Sequence, residues 1–275
     1  MKCPPSMAQV SNPGVVVMAS GDALKIAFFV LLFLALIIAI YGHYTEPPPP
    51  PPQPQLVTNQ PAGLYYNGPE TTALAGYYCI EDIDSSNGYS IQLNALLSNG
   101  LWIQDVYVLA PYYSEPFYEP AVMENKSFLY APPGTGFINA PCAWLVMVIK
   151  DGYAYFGYSL DGKSIVWYDS YPVGDAVIEP VVSTELVLAG YGHGAQAVLG
   201  NGMTLVYLAL YYWNGTTWEP APVGILPLYA TGKPHIITAE TVNHAYVFTD
   251  GSCGGVVSWP SPVNETVCPT PMFKP

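Results

Sequence analysis

The sequence predicts an all-β domain, a β-sandwich of jelly-roll-like form, behind one N-terminal membrane-spanning helix. Three observations predict it. Tyrosine is abundant at 23 residues, with 25 Gly and 29 Pro beside it. Aromatic residues suit a pleated, half-buried surface, and Gly and Pro supply its turns. Short apolar or alternating runs recur between turn signals, and only one stretch is apolar enough for a helix. No internal repeat of propeller length stands out.

That stretch runs from Ala23 to Tyr41, ALKIAFFVLLFLALIIAIY, close to the roughly 20 residues that cross a bilayer as a helix. A cleaved signal read from Met18 is the alternative, but Tyr41-Gly42-His43-Tyr44 offers no small-residue cleavage motif. Lys2 and Lys25 lie on its N-terminal side and no lysine follows until Lys126. The positive-inside bias then puts residues 1–22 in the cytoplasm and everything past the anchor outside the cell. Residues 45–61 hold six consecutive prolines, Pro47 to Pro52, a stiff polyproline stalk. Residues 62–275 form the extracellular domain.

Within that domain the strands follow in order. Ser90 to Leu97 partly alternates, Ser98-Asn99-Gly100 signals a hairpin, and Leu101 to Val108 returns. Trp144 to Lys150 reads as a buried strand that Asp151-Gly152 turns into Tyr153 to Tyr158. Asp161-Gly162 leads into Ser164 to Tyr168. Glu185 to Ala189, Met203 to Trp213 and His244 to Thr249 are further strands, and Asn214-Gly215 turns the chain into Thr217-Trp218. Many short strands with frequent turns mean two layers of sheet.

Charge excludes one class of partner. The net charge is −13, and the seven basic residues are all lysine. Nucleic-acid binding depends on neutralising phosphates, so this surface repels a polyanion. Charged residues make up only 10% of the chain, so a surface of Tyr, Ser, Thr and Asn keeps its hydrogen bonding when carboxylates protonate. Three acceptor sequons, at Asn125, Asn214 and Asn264, all lie beyond the anchor. So do Cys79, Cys142, Cys253 and Cys268, which allow three disulfide pairings. Cys253–Cys268 is the simplest, closing a loop worth roughly 3 kcal/mol in the chain-entropy picture. The histidines are scattered and no Cys-x-x-Cys occurs, so neither metal nor cofactor is implied.

The familiar hydrolase motifs are absent. Gly157-Tyr158-Ser159-Leu160-Asp161-Gly162 misses a nucleophile elbow by one position, and Thr249-Asp250-Gly251-Ser252 has the wrong order for a pepsin-like motif and no second copy. Two strands, however, carry polar residues where apolar ones are expected. Trp102-Ile103-Gln104-Asp105-Val106 holds an amide and a carboxylate. Thr184-Glu185-Leu186-Val187-Leu188-Ala189 sets a glutamate at its head, before the glycine-rich Gly190-Tyr191-Gly192-His193-Gly194. A buried carboxylate is costly and its pKa rises, a frequent property of catalytic groups. A wet strand face is the plain explanation of Glu185.

Ser90-Ile91-Gln92-Leu93-Asn94, Trp102-Ile103-Gln104-Asp105-Val106, Trp167-Tyr168-Asp169, Glu185-Leu186-Val187 and Leu210-Tyr211-Tyr212-Trp213-Asn214-Gly215 resemble, in order, the signatures of the thermopsins. These are acid-active archaeal endopeptidases, and the resemblance implies a polypeptide substrate. The domain is more compact than theirs, and it carries an anchor and stalk where many of them look secreted. More distantly, the two strands holding Gln104 and Glu185 are similar to those of the glutamic peptidases, β-sandwich acid proteases with a glutamine–glutamate dyad. That likeness implies Glu185 as general base and then acid, and Gln104 as oxyanion donor. With Glu185 near its ordinary pKa of ~4.3, an acidic optimum follows. The rival dyad is two aspartates drawn from Asp105, Asp169 and Asp250. Trp102 and Tyr168 are candidates to line the cleft, although aromatic residues on strands more often fill a core. Asp105, next to Gln104 on a regular strand, points to the opposite face. A non-catalytic cell-surface or envelope protein on the same sandwich is the other functional class.

Overall fold

A computed structural model describes residues 62–125, 127–191, 197–226, 235–237 and 245–275. The apolar run from Ala23 to Tyr41 and the proline stalk lie outside the described residues. Among those residues there is no helix, and hence none long and apolar enough to cross a membrane. All the strand pairing is antiparallel and falls into two sheets.

The first sheet has seven strands. In chain order they are β1 (Ala62–Tyr66), β3 (Tyr89–Leu96), β4 (Trp102–Leu109), β5 (Phe117–Glu124), β6 (Ser127–Tyr130), β10 (Glu185–Ala189) and β13 (Val223–Leu226). They lie side by side in the order β13-β1-β10-β3-β4-β5-β6. The second sheet has nine. It contains β2 (Ala73–Asp82), β7 (Cys142–Lys150), β8 (Tyr153–Ser159), β9 (Val166–Pro172) and β11 (Thr204–Trp213). With them are β12 (Trp218–Pro220), β14 (His235–Ile237), β15 (Ala245–Phe248) and β16 (Gly254–Trp259). Its order is β14-β15-β16-β11-β2-β7-β8-β9, with β12 beside β11.

Local sequence explains the sharpest turn. Lys150 and Tyr153 pair directly, so only Asp151 and Gly152 connect β7 to β8. Both have positive φ, 52° and 77°. This is the mirror-image two-residue turn whose twist matches the flanking strands, and Asp-Gly is among the pairs that tolerate it. The expected β10 is found from Glu185 to Ala189, and the expected hairpin before Trp102 joins β3 to β4.

The sheets pack through one apolar core. Leu64, Ile91, Leu93, Ile103, Leu186 and Leu188 from the first meet Leu74, Leu145, Met147, Phe156 and Leu208 from the second. Gly76 on β2 lets them close, because a Cβ there would stand 2.8 Å from a methyl of Leu186. Tyrosines fill one end of this space. Tyr118 stacks on Tyr158 with ring centres 4.3 Å apart, Tyr78 stacks on Tyr107 at 4.9 Å, and the Tyr78 and Tyr118 hydroxyls lie 2.9 Å apart. Their pairing satisfies the hydroxyls that burial would otherwise leave stranded. Cys79 is bonded to Cys142, its partner across β2 and β7, and Cys253 to Cys268.

Candidate functional site

Strand alternation decides which residues share a face of the first sheet. Asn94 on β3 stands directly opposite Glu185 on β10, and on its other side directly opposite Gln104 on β4. The three therefore form a row across adjacent strands, on the face turned away from the apolar core that Leu93 and Leu186 help build. Gln104 and Glu185 are separated by one intervening strand, about 10 Å at the usual strand spacing. All three side chains are nevertheless buried, with Asn94 only 1% and Glu185 7% exposed.

The row is a continuous chain of hydrogen bonds. Asn94 Nδ2 donates to Glu185 Oε1 at 2.9 Å, and Gln104 Nε2 donates to Asn94 Oδ1 at 2.8 Å. Gln104 Nε2 also donates to Gln92 Oε1 at 3.0 Å. Gln92 Nε2 donates to Ser90 Oγ at 3.0 Å, and Ser90 Oγ to the carbonyl of Gly190 at 2.9 Å. An amide nitrogen has two hydrogens, so both of Gln104's are committed and its Oε1 is the atom left over. Only one oxygen of Glu185 takes a hydrogen bond from a described residue. Burial pushes its carboxyl up from 4.5 to about 8, against the opposing pull of Asn94.

Asp105 sits one residue along and on the other side of the sheet. It is fully buried between the sheets. Tyr168 Oη donates to its Oδ1 at 2.5 Å, and the backbone N–H of Val146 to its Oδ2 at 3.1 Å. The N–H of Gly157 adds a further bond. Burial raises this carboxyl too, from 3.8 to about 8, despite those three donors.

The remaining expected site residues separate. Trp102 shares the face of Gln104, one step along β4, and its Nε1 donates to the carbonyl of Ser183 at 3.1 Å. Tyr168 belongs to β9 of the other sheet, and its hydroxyl is spent on Asp105. The two aromatics therefore do not line one cleft; the buried carboxyl needed a donor and the tyrosine supplies it. Asp169 accepts the Tyr130 hydroxyl on both oxygens at 3.0 Å. Asp250, beyond β15, accepts from Ser252 and Thr266, which hold its carboxyl below the usual range. Each of the three aspartates thus has its own unrelated partners. The glycine-rich sequel from Gly192 to Gly194 lies outside the described residues. The sequons at Asn214 and Asn264 are exposed and lie outside the strands, with Asn214 Oδ1 accepting the N–H groups of Thr216 and Thr217. Asn125 is exposed next to β6 with φ 49°.

Sequence reasoning passed over Ser90, Gln92 and Asn94 as site residues. Their signal was present: three polar side chains at alternate positions of an otherwise apolar strand. Among the described residues no group of side chains is arranged to hold a metal ion.

No family model matches the chain, and neither does any curated protein. The thermopsin resemblance therefore rests on the sequence segments alone. Among solved structures the chain is similar to SCP-B, a member of the eqolisin family of peptidases, in complex with the tripeptide Ala-Ile-His. The identity is 7%, the match covers 74% of this chain and 98% of that one, and the TM-score is 0.39. It is also similar to scytalido-glutamic peptidase with a peptide-based transition-state analogue, at 9% identity, the same two coverages and a TM-score of 0.36. A protein from Saccharomyces cerevisiae follows at 15% identity, covering 46% of this chain and 74% of that one, with a TM-score of 0.26.

Proposed function

We propose that the chain is a membrane-anchored, extracellular endopeptidase active in acid, with Glu185 and Gln104 as its catalytic pair, and that it is a relative of the thermopsins. The observation that carries the chemistry is the buried row Glu185–Asn94–Gln104, a carboxyl joined to a carboxamide through a second carboxamide. The anchor and the outside location rest on the apolar run and the lysine bias.

Glu185 begins the reaction ionised and takes a proton from a water that attacks the scissile carbonyl. The pKa of about 8 belongs to a carboxyl shut away from water. Entry of the attacking water rehydrates the carboxyl and lowers its pKa from there. This corrects the expectation of a carboxylate near its unperturbed pKa, and the cause is burial. Activity then rises through mild acid as Glu185 ionises. The protonated Glu185 next passes its proton to the leaving amine as the peptide bond breaks.

Asn94 links that proton to the oxyanion. With Glu185 ionised, Asn94 points its Nδ2 at the carboxylate and its Oδ1 at Gln104, which fixes Gln104 with Oε1 turned out. Once Glu185 carries a proton, its O–H donates to Asn94 Oδ1 and the Asn94 amide turns over. Gln104 follows and presents Nε2 to the developing oxyanion. Gln92 and Ser90 reverse in the same sense, Ser90 releasing the Gly190 carbonyl. The donor appears as the negative charge does.

The test is cleavage of a denatured protein by the full chain between pH 2 and 7, wild type beside Glu185→Gln and Asp169→Asn, each checked for folding. Cleavage lost in Glu185→Gln and kept in Asp169→Asn supports the reading. Loss with Asp169→Asn alone moves the catalyst to the aspartates. No cleavage by folded wild type at any pH favours the non-catalytic surface protein, for which the saturated hydrogen bonds of Gln104 already speak.

A further inference from the structure

The face that carries the row also carries a pocket that the mechanism above leaves unused. Its volume is about 450 Å³, and Tyr112, Tyr113, Phe117, Phe137, Tyr191 and Glu119 are among its walls. Strand register fixes its position. Gln104 stands opposite Ala121, and Glu119, two residues back on β5, stands opposite Val106 on the same face. Glu119 is therefore one strand across and one two-residue step along from Gln104, roughly 8 Å at ordinary sheet spacings. Tyr191 follows Gly190, whose carbonyl ends the hydrogen-bonded ribbon. The pocket thus opens beside the ribbon, at its Gln92–Ser90 end.

Its chemistry is specific. Tyr113 meets Phe117, Phe137 and Tyr112 edge to face, with ring centres 5.0–5.7 Å apart, and Tyr112 meets Tyr191 at 5.3 Å and 90°. Tyr112, Tyr113 and Phe137 remain 66%, 44% and 54% exposed. So much aromatic surface left in water, gathered round one hollow, is a binding feature rather than core. Glu119 stands in the wall as a carboxyl that takes no hydrogen bond and no ion pair from a described residue, and burial raises its pKa. Aromatic faces and a desolvated, unpaired carboxylate are each complementary to a cation, and an alkyl stem fits between the rings.

We propose that this pocket receives the lysine or arginine side chain of an extended peptide, two or three residues from the bond that Glu185 and Gln104 attack, with Glu119 selecting the charge. The placement relative to the scissile bond rests on the peptidase reading; the selectivity for a cation does not. An aspartate or glutamate is rejected by Glu119, and a neutral straight-chain residue gains the rings but not the ion pair.

The experiment separates the two. The full chain carrying Glu185→Gln, so that nothing is cleaved, is titrated at pH 7 with acetylated hexapeptides. These differ at one position only: lysine, arginine, norleucine, phenylalanine or glutamate. Lysine and arginine are expected to bind about tenfold more tightly than norleucine, and glutamate the least. Adding Glu119→Gln is expected to bring lysine within about twofold of norleucine while leaving phenylalanine unchanged. Phe137→Ala, an exposed position that the fold does not need, is expected to weaken every apolar or basic peptide several-fold. Equal binding of lysine and norleucine, a preference for phenylalanine, selectivity that survives Glu119→Gln, or no binding of any peptide overturns the proposal. Lysine selectivity in a chain whose wild type never cleaves keeps the pocket and removes the peptidase. Cleavage with no basic preference does the reverse.

Discussion

Two carboxyls sit on opposite faces of one sheet, and burial displaces both by a similar amount, to about 8. Asp105 faces the core and is gripped by a tyrosine hydroxyl and two backbone N–H groups from the other sheet. Glu185 faces the other way, takes one donor from Asn94, and keeps an oxygen uncommitted by described residues. A displaced pKa therefore marks burial in both and availability in only one. What separates the two carboxyls is the number and kind of their donors. Rigid backbone N–H groups hold Asp105 in place, whereas a rotatable amide that is itself bonded to a second amide holds Glu185.

The largest effect that tests this contrast is at Glu185. Glu185→Gln is expected to lower kcat by at least about a thousandfold with the melting temperature unchanged or raised, read by cleavage assay and calorimetry on the same sample. At Asp105 the signs invert. Asp105→Ala strands three donors in the core and is expected to cost about 3 kcal/mol of stability, measured by denaturant unfolding, while kcat per folded molecule stays within about tenfold. A catalytic loss at Asp105 as deep as at Glu185 would erase the distinction between the faces.

Asn94→Ala comes next. On the proposed relay it is expected to lower kcat about a hundredfold with KM within about twofold, since it would uncouple the donor from the proton without touching substrate. Asn94→Asp, which cannot donate, is expected to rescue nothing. The pH dependence of folding is a smaller, graded test. Both carboxyls have folded pKa values above their unfolded ones, so the folded state holds more protons between about pH 4 and 8. Their stability contribution is full below the unfolded pKa and is lost as pH rises through about 8, with a slope of up to about 1.4 kcal/mol per pH unit for each. Glu185→Gln is expected to remove one share of that slope and Asp105→Asn the other, in melting curves from pH 4 to 8. Smallest of all, Asp169→Asn is expected to change kcat less than about twofold, since Asp169 ties β9 to β6 of the other sheet through Tyr130 and meets neither Glu185 nor Gln104.

The same contrast explains what was legible in the chain. A strict period of two put Gln104 and Asp105 on opposite faces, and the glutamate at the head of an apolar run marked the start of β10. The Asp-Gly turn announced the hairpin between β7 and β8. Strand β5 was not announced, because Pro120 interrupts it. The residue is tolerated there because β6 pairs only with Val122, Met123 and Glu124, which leaves β5 an open edge at Pro120. Strands β2 and β16 were masked by small residues such as Ala75, Gly76, Gly254 and Gly255, whose value lies in how closely the sheets approach. Asn94 was hidden for another reason. An amide on a strand carries no charge, and its part emerges only when register sets it between two others. Tyr168 misled because an aromatic beside an aspartate in sequence says nothing of which carboxyl across the sandwich its hydroxyl meets.

Sheets held together by greasy contacts alone are free to slide, since apolar packing has little sense of direction. The bonds from Asp105 to Tyr168 and to the backbone of Val146 are directional, and they pin β4 to two strands of the opposite layer. Gln104 is the next residue on that pinned strand. A polar foot planted in the interior thus fixes, from behind, the place of the side chain that stands on the outer face of the same strand.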